Sequence, residues 1–255
     1  MNQGVLAFRN NHYPDAVRHF KEAVRLDPSN ENAQAYLATS YFIQWVPGAD
    51  SPDNKKNYEA AKQEFDKILK KNPTNTQALA SMANMAYNSA TAATASPEQR
   101  KAAFTEARKW NQRRIEVNPK DGEAYYYLGV INYYDALPEL QAARIQESHA
   151  TRPQDKLSPN DPGPLKDKKV KADLAEKYSK SIDDGLDNLK KALAIDKENE
   201  DAMEYVNLLL REKALLADSP DEAKSLTAQA DDWMQKGLNM KRIKASRPQK
   251  STEAS

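Results

Sequence analysis

The 255-residue chain carries 38 Lys and Arg against 37 Asp and Glu, a net charge of +1, and charged residues make up 29% of it. That balance argues against non-specific nucleic-acid binding, which needs a basic face. The absence of cysteine excludes disulfides, cysteine-type zinc sites and thiol catalysis, and no apolar run approaches the roughly 18 residues of a membrane-spanning helix.

Glycine is scarce, with seven residues, and period-two alternation is hard to find, so the chain reads as helix almost throughout. Four junctions share one pattern: EAVRLDPSNENAQAYLA (22–38), KILKKNPTNTQALASMA (67–83), RRIEVNPKDGEAYYYLG (113–129) and KALAIDKENEDAMEYVN (191–207). Each is an apolar helix end, then Asp or Asn followed by Pro (Lys197 in the fourth), then polar residues, then a new helix. Proline cannot continue a helix, and it pushes the residue before it out of the helical region. Pro28, Pro73 and Pro119 therefore punctuate helix pairs.

The second helix of each pair repeats a small–large–small pattern at spacings of four and three, which stays on one helical face. It reads Ala16, Phe20, Ala23; Ala61, Phe65, Ile68; Ala107, Asn111, Arg114; Gly185, Leu189, Ala192; and Ala230, Met234, Gly237. First helices carry Leu37-Ala38, Met82-Ala83, Leu128-Gly129 and Val206-Asn207. These residues resemble the tetratricopeptide repeat, a helix–turn–helix unit of about 34 residues. Asn111 and Arg114 depart from the pattern. The resemblance implies an all-α fold, a right-handed α-solenoid of antiparallel helix pairs with about five repeats. They fall at about 1–30, 31–75, 76–121, 122–199 and 200–242, followed by a disordered tail at 243–255.

The closing positions 28, 73, 119, 197 and 242 are 45, 46, 78 and 45 apart, longer than the family's unit. The motifs SPDN (51–54), SPEQ (96–99) and SPDE (219–222) occupy the extra length. Serine caps a helix N-terminus and proline suits its first position. Gln99 and Glu222 complete a capping box. The extra length is thus expected to lengthen helices, with capped restarts. The 138–170 segment holds five prolines and is expected to form a short helix at 139–149, then an irregular excursion. That excursion is either a mobile loop without a dedicated role or a lid over the groove. The first repeat begins at Gly4 without the front half of its first helix, so either an irregular cap or sequence upstream of Met1 is expected. Localisation stays undetermined. Ends without capping helices leave self-association open.

No HExxH, GxGxxG, GxxxxGK[ST] or GxSxG motif occurs, so no catalytic, metal or cofactor site is expected. His12, His19 and His149 read as solvated, as do the pairs Asp183-Asp184 and Asp231-Asp232 and the basic stretch 166–180. The resemblance implies instead a concave groove lined by first-helix positions two, five, nine, twelve and often thirteen. Transferred residue by residue, the candidates are Asn32, Thr39 and Phe42; Gln77, Asn84 and Tyr87; Glu123, Tyr126, Val130, Tyr133 and Tyr134; and Arg211, with Glu212 beside it. The clamp of Lys and Arg with which some relatives hold a carboxylate is absent, its positions carrying Asn, Ala, Thr, Gln, Glu and Tyr. The strip suits a protein or peptide partner with apolar anchors, which makes a non-enzymatic scaffold the leading reading. Its alternatives are a small-ligand or enzyme-associated site under the 138–170 insertion, and an oligomer-assembly module. Within GEAYYYLGVINYY (122–134), Tyr125 takes the packing slot, Tyr126, Tyr133 and Tyr134 take groove positions, and Asn132 stands where the family usually has tyrosine.

Overall fold

The computed structural model describes residues 1–247 apart from 153, 154, 159, 160 and 162. Its described residues form ten helices and no strand, in two compact units, Met1–Pro119 and Lys120–Ser255. The first holds α1 (Asn2–Arg9), α2 (Tyr13–Leu26), α3 (Glu31–Gln44), α4 (Pro52–Lys71), α5 (Thr76–Thr91) and α6 (Pro97–Val117). The second holds α7 (Gly122–Ser148), α8 (Lys168–Ile195), α9 (Glu200–Leu215) and α10 (Pro220–Ser246). Consecutive helices pack as pairs: α1 with α2, α3 with α4, α5 with α6, α7 with α8 and α9 with α10.

Side-chain chemistry makes the turns. Asp27 Oδ1 accepts from the Ser29 amide at 3.0 Å, Asn72 Oδ1 from that of Thr74 at 3.2 Å, and Asp196 Oδ1 from that of Glu198 at 2.9 Å. Each is a side-chain mimic of a backbone turn. Three residues on, Asn30, Asn75 and Asn199 cap the next helix by accepting from the amides of Ala33, Ala78 and Ala202 at 2.8–2.9 Å. Asp121 does the same for Ala124 at 3.0 Å. Such a cap is worth about 1 kcal/mol. The turn at Lys197 keeps this geometry without proline because Asp196 and Asn199 supply both interactions.

The Ser-Pro motifs start α4, α6 and α10, with Ser51, Ser96 and Ser219 as N-caps and proline in the first turn. The box at Ser96 is complete: its Oγ accepts from the Gln99 amide at 3.2 Å and Gln99 Oε1 accepts from the Ser96 amide at 2.9 Å. At Ser219 only half forms, because the Glu222 carboxylate accepts from Asp218 instead. The extra length goes into second helices and α7: α4, α6, α8 and α10 have 20, 21, 28 and 27 residues and α7 has 27, whereas α3, α5 and α9 have 14 to 16.

Phe20 and Phe65 are fully buried at the repeat's large positions in the first unit. Burying each contributes about 2–3 kcal/mol. A Cβ on Gly4 would stand 2.7 Å from the Phe20 ring, and one on Gly129 would stand 2.5 Å from Leu189, so these positions admit no side chain without displacement. The third repeat's departures form a buried polar pair. Asn111 donates to the Ala107 carbonyl at 2.9 Å, and Arg114 donates to Asn111 Oδ1 at 3.2 Å.

Two expectations change. No helix begins at 139: α7 runs from Gly122 through Pro138 to Ser148. Pro138 is exposed, while Ala136, Leu140, Ala143 and Glu147 keep one face of α7 buried, and that packing holds the helix together. The tail expected from 243 is helical to Ser246, and residues 248–255 lie outside the described residues. Beyond α7 the chain is irregular yet anchored. Leu157 and Leu165 are buried, and the Glu147 carboxylate accepts from the amides of Lys166 and Asp167, each at 2.9 Å.

Candidate partner-binding surface

Along α7, Tyr126, Val130, Tyr133, Leu137, Gln141 and Arg144 recur at spacings of three or four and share one stripe. Where α7 meets α9, this stripe faces Tyr205, which joins the tyrosines of α7. The Tyr205 ring lies 5.9 Å from Tyr126 and 5.5 Å from Tyr133, both at 72°, and 6.4 Å from Tyr134. Tyr133 and Tyr134 meet at 5.2 Å and 65°. Edge-to-face contacts of this kind add about 0.5–1.5 kcal/mol each beyond area burial. All four rings are half-buried, so each keeps a face or edge in solvent.

Val130 is not part of that surface. It is 0% exposed, because it falls between Tyr126 and Tyr133 on the stripe and is covered in the packed interior. Glu123 is exposed in the first turn of α7. Tyr125 is half-buried beneath Lys191, whose Nζ sits 5.6 Å from the ring centroid. Asn132 is 6% exposed and donates to the Ser181 carbonyl at 3.0 Å, tying α7 to α8.

Below the tyrosines a cavity of about 450 Å³ opens between α7, α9, α10 and the chain around Asp161. Tyr133, Leu137, Leu208 and Leu215 form its apolar walls, and Gln141, Arg144, Asp161, Arg211, Glu212 and Thr227 its polar lining. Arg211 donates to Asn207 at 2.9 Å and is also held by Asp231. Glu212 is 4% exposed, and neither carboxylate oxygen has a hydrogen-bond partner. Burial pushes its carboxyl up to about 9. The Tyr133 hydroxyl is pushed up to about 12, first by burial and then by the proximity of Glu212.

The first-unit candidates are more dispersed. Asn32 and Gln77 are exposed, and Thr39 is half-buried. Phe42 packs on Trp45 at 6.1 Å and Phe65 at 6.4 Å, and Tyr87 packs on Phe104 at 6.2 Å. Asn84 leaves a buried Oδ1 without a partner. Outside the groove positions, Asp183 pairs with Lys213, Asp184 with Lys180, and Glu139 with Lys177. Among the described residues no cluster of three or more metal-ligating side chains occurs, and no helix is long and apolar enough to cross a membrane.

Tyr205 and the orphaned state of Glu212 are what sequence reasoning missed. Tyr205 falls outside positions two, five, nine, twelve and thirteen of its first helix, so the register passed over it. The register gives Arg211 and Glu212 alike as groove positions, and only the tertiary packing separates the paired Arg211 from the buried Glu212.

This architecture is that of a helical-repeat solenoid protein built from capped helix pairs with small residues at the close approaches. The tetratricopeptide repeat model matches residues 1–30, and the model described as regulator of microtubule dynamics protein 1-3 matches residues 48–154. No curated protein matches. Among solved structures, a crystal structure of MamA aligns with a TM-score of 0.55 at 16% identity, over 97% of this chain and 99% of that one. MamA 41-end from Desulfovibrio magneticus RS-1 aligns with a TM-score of 0.56 at 16% identity, over 96% and 94%. At that identity the likeness concerns the fold. The fold is that of a tetratricopeptide-type helical-repeat protein, and residues 1–30 carry the match to that family's model.

Proposed function

We propose that the protein is a non-enzymatic scaffold that binds a peptide or partner protein through its first-helix faces. Proteins of this repeat type generally serve as such scaffolds. The observation that carries the reading is the group of half-exposed rings at Tyr126, Tyr133, Tyr134 and Tyr205. Tyrosine offers large, rigid contact area at low entropic cost, and anchors of this kind dominate interface energies. Glu123 and Arg211 border the rings in the second unit. In the first unit, Asn32, Thr39, Phe42, Gln77, Asn84 and Tyr87 are assigned the same role, with Asn and Gln serving a bound backbone. Val130 is left out because it is buried.

The test is affinity capture with quantitative mass spectrometry, comparing the wild type with Tyr126→Ala/Tyr133→Ala after thermal melting has verified that the variant folds. Partners captured by the wild type and depleted at least tenfold in the variant support the surface. Equal capture by a folded variant rejects it.

A further inference from the structure

We infer that the cavity beneath the tyrosines is a receptor for an alkylammonium group, with the Glu212 carboxylate as counter-ion, the Tyr133 ring as a cation-binding wall, and Leu137, Leu208 and Leu215 around the alkyl stem. This gives the 138–170 insertion, which reaches the rim through Asp161, a ligand chemistry. It stands independently of the scaffold reading.

Three observations converge on a cation. Glu212 is buried and both of its oxygens lack a partner, although buried carboxylates are otherwise paired or hydrogen-bonded. It lines a cavity of about 450 Å³ with apolar walls, space that a short alkyl chain fills without rearrangement. The face of a tyrosine attracts a cation through its quadrupole, most strongly where water is excluded. An ammonium donates up to three hydrogen bonds and accepts none, which matches the acceptor-only carboxylate that Glu212 becomes on ionising.

The other charges around Glu212 already have partners. On α9, Arg211 is held by Asp231 of α10 and by Asn207. On α7, Arg144 donates to the Asp161 carbonyl at 3.1 Å. In the irregular chain after α7, the Asp161 carboxylate lies 3.3 Å from Lys166 Nζ and accepts from the Gly163 amide at 3.0 Å. An anion would face Glu212 with both nearby arginines already engaged.

Empty, the cavity keeps Glu212 protonated at neutral pH, since burial raises its carboxyl to about 9. An entering ammonium pairs with the ionised form, so binding expels one proton from Glu212 to solvent. Affinity therefore rises about tenfold per pH unit toward 9 and then levels off.

The test is methyl-detected NMR of Leu137, Leu208 and Leu215 in the full chain, titrated at pH 7, 8 and 9 with n-butylammonium chloride. n-Butyramide and sodium n-butyrate are titrated in parallel. Saturable shifts with butylammonium, tightening about tenfold from pH 7 to 8 and about fivefold from pH 8 to 9 and abolished in Glu212→Gln with its fold verified by circular dichroism, are the expected result. Equal or tighter binding of butyramide overturns the inference in favour of a hydrogen-bonding neutral ligand. Tighter binding of butyrate overturns it in favour of an anion held by the arginines. Retained butylammonium binding in Glu212→Gln, or no shift with any probe, overturns it outright.

Discussion

Tyr205 of α9 meets Tyr133 of α7 edge to face, their centroids 5.5 Å apart and their planes at 72°. The contact spans two helix pairs, so it links neighbouring repeats through rings proposed to bind a partner. A thermodynamic double-mutant cycle with Tyr133→Leu and Tyr205→Leu is expected to return a coupling of about 1 kcal/mol. Leucine keeps much of the buried area and removes the ring contact. Strictly additive losses in chemical denaturation refute a specific ring–ring interaction.

Gly129 approaches Leu189 so closely that a Cβ would stand 2.5 Å from Leu189 Cγ. Gly129→Val forces α7 away from α8 or drives Leu189 off its rotamer. The expected loss is about 3 kcal/mol by urea denaturation. Valine at this position without measurable loss shows that the α7–α8 approach is not sterically determined.

Ser96 and Gln99 exchange both halves of a capping box at the start of α6. Ser96→Ala is expected to lower stability by about 1 kcal/mol. It also speeds amide exchange in the first turn of α6 but not in its last turn. Uniform acceleration along the helix shows instead that the variant acts through global unfolding.

Much of this fold is written in short-range chemistry. Asn30, Asn75, Asp121 and Asn199 each stand at the start of a first helix, and Ser51, Ser96 and Ser219 each precede a proline at the start of a second. Both signals act within four residues and are visible without tertiary information. What stayed hidden depends on contacts between distant segments. Pro138 reads as a helix end, yet α7 continues through it because Leu140 and Ala143 find buried places. Val130 occupies a groove position of the repeat, yet it is buried in the packed interior. Arg211 and Glu212 are adjacent in sequence and opposite in environment. Asp231 meets Arg211 from α10, while Glu212 turns inward beside Tyr133 without a hydrogen-bond partner.

That inward turn of Glu212 leaves a signature in stability against pH. Its carboxyl ionises near 4.5 in the unfolded chain and at about 9 in the folded one. Below 4.5 both states hold the proton and the site adds no pH dependence. Between 4.5 and 9 only the folded state holds it, so stability falls as pH rises, by about 1.4 kcal/mol per unit at most. Above 9 the folded protein holds a buried carboxylate and the full penalty is reached. By pH 7 the accumulated loss from this group is about 3 kcal/mol, an upper figure because local opening admits water. Glu212→Gln keeps the shape and cannot ionise. It is expected to be more stable than the wild type at pH 8, and the difference should shrink to the small cost or gain of the amide itself near pH 4.5. Melting temperatures of both proteins from pH 4.5 to 9 measure this directly. Parallel curves would show that Glu212 ionises without penalty and is hydrated in solution.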